Sequence, residues 1–156
     1  MKTSIGIKEV ERQKVADFLA VVLADEQVLY AKTRRAHWNV EGGDFHAMHL
    51  FFEGQYGELE RIIDEVAERI RQLGHYAPGT LKKFLELTRL TEETEGKNDS
   101  ASYIKDLKAD HESIITHIRE SIEWIEEAND NGTADFLIGI MQGHEKQAWM
   151  LRAHLK

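Results

Sequence analysis

A single proline, Pro78, interrupts 156 residues that are otherwise rich in helix formers, and no other feature constrains the fold as strongly. Proline breaks a helix from within, so a chain almost free of it can run long helices. Breaks in the apolar spacing then become the element boundaries. The first helix is expected over Ile7 to Ala36, with Val15, Phe18, Val22, Leu29 and Tyr30 on its inner face. Gly42 and Gly43 permit a tight turn. A second helix is expected from Asp44 to Leu73, capped by Gly74. Residues 75–99 form a long connection that carries Pro78, a short helix around Leu81, Phe84 and Leu85, and the polar run Thr91 to Asp99. A third long helix spans Ser100 to Ala128. After the turn Asn129-Asp130-Asn131-Gly132, Thr133 is expected to cap a fourth long helix that ends at Leu155.

This pattern predicts an all-α protein, one domain over residues 1–156. Two helical hairpins joined by one long crossover is the ferritin-like way to wire a four-helix bundle. The chain has no cysteine, so any metal must be held by His, Asp, Glu or water. No signal-peptide run opens the sequence, and no stretch approaches the ~20 apolar residues of a membrane span, so a cytoplasmic protein with no membrane contact is expected. With 28 acids against 20 bases the net charge is −8, which repels nucleic acid and favours cations.

Metal sites in such bundles usually draw a Glu-x-x-His pair from each of two helices. That motif is absent here, so a self-contained two-iron centre within the bundle is not expected. On the second helix, His49 and Glu53 stand four apart, as do Asp64 and Glu68, and each pair shows two ligand atoms on one face. Such pairs also suit a solvated surface. The pairs are centred fifteen residues apart, about 22 Å along a helix, too far for one ion to bridge. Both 49 with 68 and 53 with 64 share a midpoint between Glu58 and Leu59. An antiparallel copy crossing there sets His49 and Glu53 opposite Asp64 and Glu68, twice over, as an isologous contact requires. Gly54 and Gly57 lie near the crossing. Hinging the first hairpin at Gly42-Gly43 brings His37 level with His49, which makes five candidates: His37, His49 and Glu53 from one subunit, Asp64 and Glu68 from its mate. Imidazole with carboxylate suits Fe(II), Mn(II) or Zn(II).

The stretch Ala36-His37-Trp38-Asn39-Val40-Glu41-Gly42, with Phe45, His49, Phe52-Glu53, Tyr56, Asp64 and Ala67-Glu68-Arg69-Ile70, resembles the Dps family, the DNA-binding proteins from starved cells, which are ferritin-like mini-ferritins. The likeness continues through Ala77-Pro78-Gly79-Thr80 and Thr133-Ala134-Asp135 and covers nearly the whole chain. It implies a hollow homododecamer that acts as a ferroxidase. Such an assembly binds Fe(II) between subunits, oxidises it preferentially with hydrogen peroxide, stores ferric mineral and protects against oxidative stress. The five residues above match the family's ligands, although many relatives have aspartate where this chain has Glu53. Zinc or manganese is an alternative occupant as isolated. The resemblance also assigns Trp38 as a redox neighbour, with core packing the alternative for it and for Trp149. Asp130 and Asp135 match residues that line acidic three-fold pores. Asp135 equally suits the helix N-terminus. The other histidines fall at no ligand spacing, and His111 and His144 are expected to be hydrogen-bonded core residues.

Relatives that bind DNA often use a lysine-rich terminal extension. The first ten residues offer only Lys2 and Lys8, so weak or absent duplex binding is expected. A nucleoid-compacting DNA-binding stress protein is the alternative function. A helical scaffold whose polar interface merely sets register is a third.

Overall fold

In the computed structural model, residues 3–92 and 96–155 are described. Lys2 and the Glu93-Thr94-Glu95 part of the polar run lie outside them. Among the described residues five helices follow one another: α1 (Glu9–Asn39), α2 (Phe45–Gln72), α3 (Leu81–Leu87), α4 (Ser100–Glu127) and α5 (Asn131–Ala153). Helix α1 packs on α2, α3 and α4, and α4 packs on α5. The result is two hairpins joined by a crossover that carries the short helix, as expected.

The boundaries follow local chemistry. Helix α1 extends three residues past Ala36, because the backbone turns extended only at Val40, whose N–H still closes on the Ala36 carbonyl at 2.9 Å. Gly42 follows with φ +129°. Helix α2 ends in a Schellman motif. Gly74 (φ +93°) donates to the Arg71 carbonyl and His75 to that of Ile70. A Cβ at Gly74 would run into the Thr3 side chain.

Thr133 does not cap α5, contrary to the sequence expectation. The N-cap is Asp130, whose carboxylate accepts the Thr133 N–H at 3.0 Å and the Thr133 hydroxyl at 2.6 Å. Asp130 reaches the third N–H of the helix directly, and Thr133 becomes a buried relay in the first turn. The helix also stops at Ala153 rather than Leu155.

The core is built from the apolar stripes of the four long helices, with Phe52, Leu19, Leu29, Leu59, Ile114, Ile118 and Leu137 fully enclosed. Phe45, at the start of α2, is 45% exposed. In the short helix only Phe84 enters the core, while Leu81 and Leu85 stay exposed. Buried charge on α1 ties down the crossover. Asp25, 1% exposed, accepts from the Thr88 hydroxyl at 2.8 Å, the Arg89 N–H at 2.7 Å and Arg89 Nε at 2.9 Å. About two turns further, Lys32 donates to the Thr91 carbonyl at 3.0 Å and lies 2.5 Å from Asp110 on α4.

Candidate metal centre

The α1–α2 turn does bring His37 level with His49. Their rings stack at 3.7 Å, 21° from parallel. Each gives a hydrogen bond to the other's backbone: His37 Nδ1 to the His49 carbonyl and His49 Nδ1 to the His37 carbonyl, both 2.8 Å. A carbonyl oxygen can only accept, so each Nδ1 carries a proton, and in the neutral form of the ring Nε2 keeps the lone pair. Imidazoles that ligate metals are commonly fixed this way. The His37 carbonyl belongs to the last turn of α1, where helix carbonyls lack intrahelical partners. His49 therefore closes the end of one helix while it is oriented by it.

Aromatic rings brace the pair. Tyr56 meets the His37 ring edge-on at 5.2 Å, Phe45 lies 5.2 Å from His49, and Tyr30 meets Tyr56 at 6.0 Å. The Arg34 guanidinium donates to the Tyr30 hydroxyl at 2.7 Å and lies 5.0 Å from the rings of both Trp38 and Tyr56. Tyr56 stood above only among the residues that carry the resemblance, with no role at the site. Its contact with His37 depends on how the hairpin closes.

Glu53 is exposed one turn beyond His49, and Asp64 and Glu68 are exposed further along α2. Among the described residues, no three His, Asp or Glu side chains stand ready around one ion within a single chain. Between the two halves, Gly54 and Gly57 face open space, with nothing within 4 Å of an added Cβ. A broad groove of about 740 Å³ opens beside Gly57, Asp64 and Ala67, floored by Leu23 and Phe84.

Trp38 and Trp149 are 61% and 60% exposed, so neither packs in the chain's core. The two candidate pore residues diverge. Asp130 is 1% exposed, its carboxylate held by Arg69 at 2.9 Å and by Thr133. Asp135 is exposed on the wall of a cleft of about 480 Å³ between α2 and α5. His111 and His144 are buried and hydrogen-bonded to each other, as expected. Their neighbour Glu26, fully enclosed on α1, went unnoticed. Its signal was a carboxylate at helical spacing from Leu19, Val22 and Leu29.

This helical wiring, with an imidazole pair beside the turn of the first hairpin, defines a ferritin-like bundle. A family model of the ferritin-like domain matches residues 16–156. The chain is 38% identical over 149 residues to a DNA protection during starvation protein of Porphyromonas gingivalis, covering 96% of this chain and 93% of that one. The solved structure of DpsC from Streptomyces coelicolor superimposes with a TM-score of 0.96 at 29% identity, over 100% of this chain and 91% of that one. A Dps protein of Vibrio cholerae O1, described as a member of a broad superfamily of ferritin-like diiron-carboxylate proteins, gives 0.93 at 33% identity, over 100% and 98%. The chain belongs to the ferritin-like family and, within it, to the Dps proteins.

Proposed function

We propose that this protein is a ferroxidase and iron store. Two α2 helices cross head to tail about the Glu58–Leu59 midpoint, and each subunit's His37, His49 and Glu53 face the Asp64 and Glu68 of its mate. The observation that carries this reading is the reciprocal Nδ1–carbonyl bonding of His37 and His49, which leaves two Nε2 lone pairs side by side. The open α2 surface, with its two glycines near the midpoint, supports it. So does membership of a family that includes a relative described as a diiron-carboxylate protein.

Fe(II) is the substrate. Two imidazoles and a carboxylate bind it from one side, and two carboxylates from the mate complete the cradle and neutralise its charge. Hydrogen peroxide accepts two electrons, one from each of two Fe(II) ions, and leaves as two hydroxides, which avoids the one-electron route to hydroxyl radical. The chain's residues bind, orient and electrically balance the metal. Stored ferric mineral, a hollow dodecamer and a cytoplasmic setting belong to this reading. Among the described residues, no helix is long and apolar enough to cross a membrane. Asp135, on the acidic cleft wall, is the better placed of the two pore candidates. Relatives named for DNA protection favour a second reading, direct DNA binding, against which the net charge of −8 works.

Stopped-flow oxidation of Fe(II) by peroxide, wild type beside Asp64→Ala, tests the proposal. The loss of a mate's ligand should slow oxidation roughly 100-fold or more, since even outer partners of metal ligands are worth 10–100-fold. An unchanged rate in Asp64→Ala would refute the two-fold site.

A further inference from the structure

All four long helices bury a polar side chain in the bundle: Glu26 on α1 (0% exposed), Gln55 on α2 (2%), His111 on α4 (0%) and His144 on α5 (1%). Three of them form a chain. His144 Nε2 lies 2.7 Å from Glu26 Oε1, and the Nδ1 atoms of His111 and His144 lie 2.8 Å apart. Charge balance sets the number of protons on this chain. A fully buried carboxylate beside two neutral imidazoles would stand uncompensated, and one further proton makes the cluster neutral. His144 is then the imidazolium. It gives Nε2–H to Glu26 and Nδ1–H to the Nδ1 lone pair of His111, whose own proton sits on Nε2.

The contact between the two Nδ1 atoms has room for that one proton and for no second. Two N–H bonds aimed at each other over 2.8 Å would set their hydrogens about 0.8 Å apart. Turning the His111 ring over would relieve the overlap, but it would leave two buried imidazolium charges against one carboxylate. Other buried charges on these helices are engaged elsewhere. On α1, Asp25 pairs with Arg89, Lys32 pairs with Asp110 of α4, and Arg12 bonds the Leu73 carbonyl. From α2 the buried polar side chain is the neutral Gln55. On the wall of the α2–α5 cleft, Arg61 is bonded to both Glu58 and Glu65, with Asp135 and Lys146 across from them.

We infer that His111 and His144 form an acid-triggered latch in the bundle core, shut while one proton bridges them and released by a second, which parts α4 from α5 at mid-bundle and admits water from the α2–α5 cleft. Glu26 pairs with His144 in both states, so α5 keeps its tie to α1 while α4 loses its tie to α5. His144 lines the cleft. Gly139 and Gly143 also line it and meet nothing within 4 Å of an added Cβ, which gives water a path. Burial first, and then the charge of His144, holds the His111 pKa well below its usual value. The closed pair therefore refuses a proton that the opened pair accepts. With the pKa depressed in the fold, the latch is fully shut above the ordinary histidine value of about 6.5 and loosens as pH falls below it. The device lies within one chain and needs neither the α1–α2 imidazoles nor a second subunit.

Hydrogen–deuterium exchange of the full-length, assembled protein, read by mass spectrometry and corrected for the intrinsic pH dependence of amide exchange, tests the latch. One proton taken up on opening should make the segments of α4 and α5 around His111 and His144 open about tenfold more often at pH 5.5 than at pH 7.5. Segments around Glu26 should change less, because its pairing with His144 survives. His111→Gln removes the place for the second proton and should flatten the dependence. His117 remains in that variant, so a slope of its own would persist there. If His111→Gln fails to assemble, the wild type decides by where its slope falls. A rise confined to the His111 and His144 segments supports the latch, and a rise shared by every helix, meaning general acid unfolding, overturns it. Corrected rates that match at the two pH values, or a slope undiminished in His111→Gln, would overturn it as well.

Discussion

Two histidine pairs, each linking the helices of one hairpin, behave in opposite ways. His37 and His49 stack and spend their Nδ1 protons on each other's carbonyls, which leaves both Nε2 atoms free beside the turn between α1 and α2. His111 and His144 turn their nitrogens on one another, with Glu26 behind, deep in the bundle. The residue type is the same in both. What differs is whether the backbone or a second side chain takes the first proton, and that choice decides whether a lone pair faces outward or is already used.

The contrast can be broken by exchange of damage. His37→Ala should reduce peroxide-driven Fe(II) oxidation roughly 100-fold or more, while His144→Leu should leave the rate per folded subunit unchanged. Stopped-flow traces normalised to assembled protein would check this, and equal losses in the two variants would erase the distinction. In denaturant unfolding the order reverses. His144→Leu strands the Glu26 carboxylate in the core and should cost about 3–5 kcal/mol. His37→Ala, bonded to a carbonyl beside the α1–α2 turn, should cost about 1–2 kcal/mol.

Acid sharpens the comparison further. Burial, seconded by the charge of His144, lowers the His111 pKa in the fold, and burial with the charge of Arg89 lowers that of His117. The unfolded chain therefore binds protons that the folded one refuses. This part of the stability is fully present above the ordinary histidine value of about 6.5 and is lost as pH falls below it. Unfolding midpoints at pH 7.5 and 5.5 should show the loss, and His111→Leu should flatten the dependence. An unchanged slope would remove His111 as its source.

The smallest effect concerns the crossing point. Gly57 meets nothing within 4 Å of an added Cβ, so Gly57→Ala should strengthen the helix of a lone subunit by about 0.5–1 kcal/mol. In the two-fold assembly the same methyl should weaken association. Light scattering after dilution, set beside unfolding of the monomer, would separate the two. A tighter dimer would place the crossing elsewhere.

The helices themselves were legible because their signals are local. Apolar spacing, Gly74 in its Schellman turn and the glycines after Val40 act within a few residues of where they stand. The level pairing of His37 with His49 followed from counting outward from one turn. The cap of α5 was misread between two neighbours that both qualify, and Asp130 took it because it also meets Arg69, sixty-one residues away in sequence. Glu26, Asp25 and Lys32 escaped notice for a related reason. A charge on an apolar stripe reads as an error in the pattern until its partners arrive from other helices.

By itself, then, the sequence determined the number of helices, their pairing into hairpins, the imidazoles of the α1–α2 pair and the family. Only the tertiary structure decided which carboxylates are spent and which are open, as with Asp130 and Asp135. It alone revealed that a second His–His contact, backed by Glu26, fills the core. Helix formation is governed by spacing of a few residues along one chain. The state of a buried charge is governed by groups that the fold gathers from everywhere else.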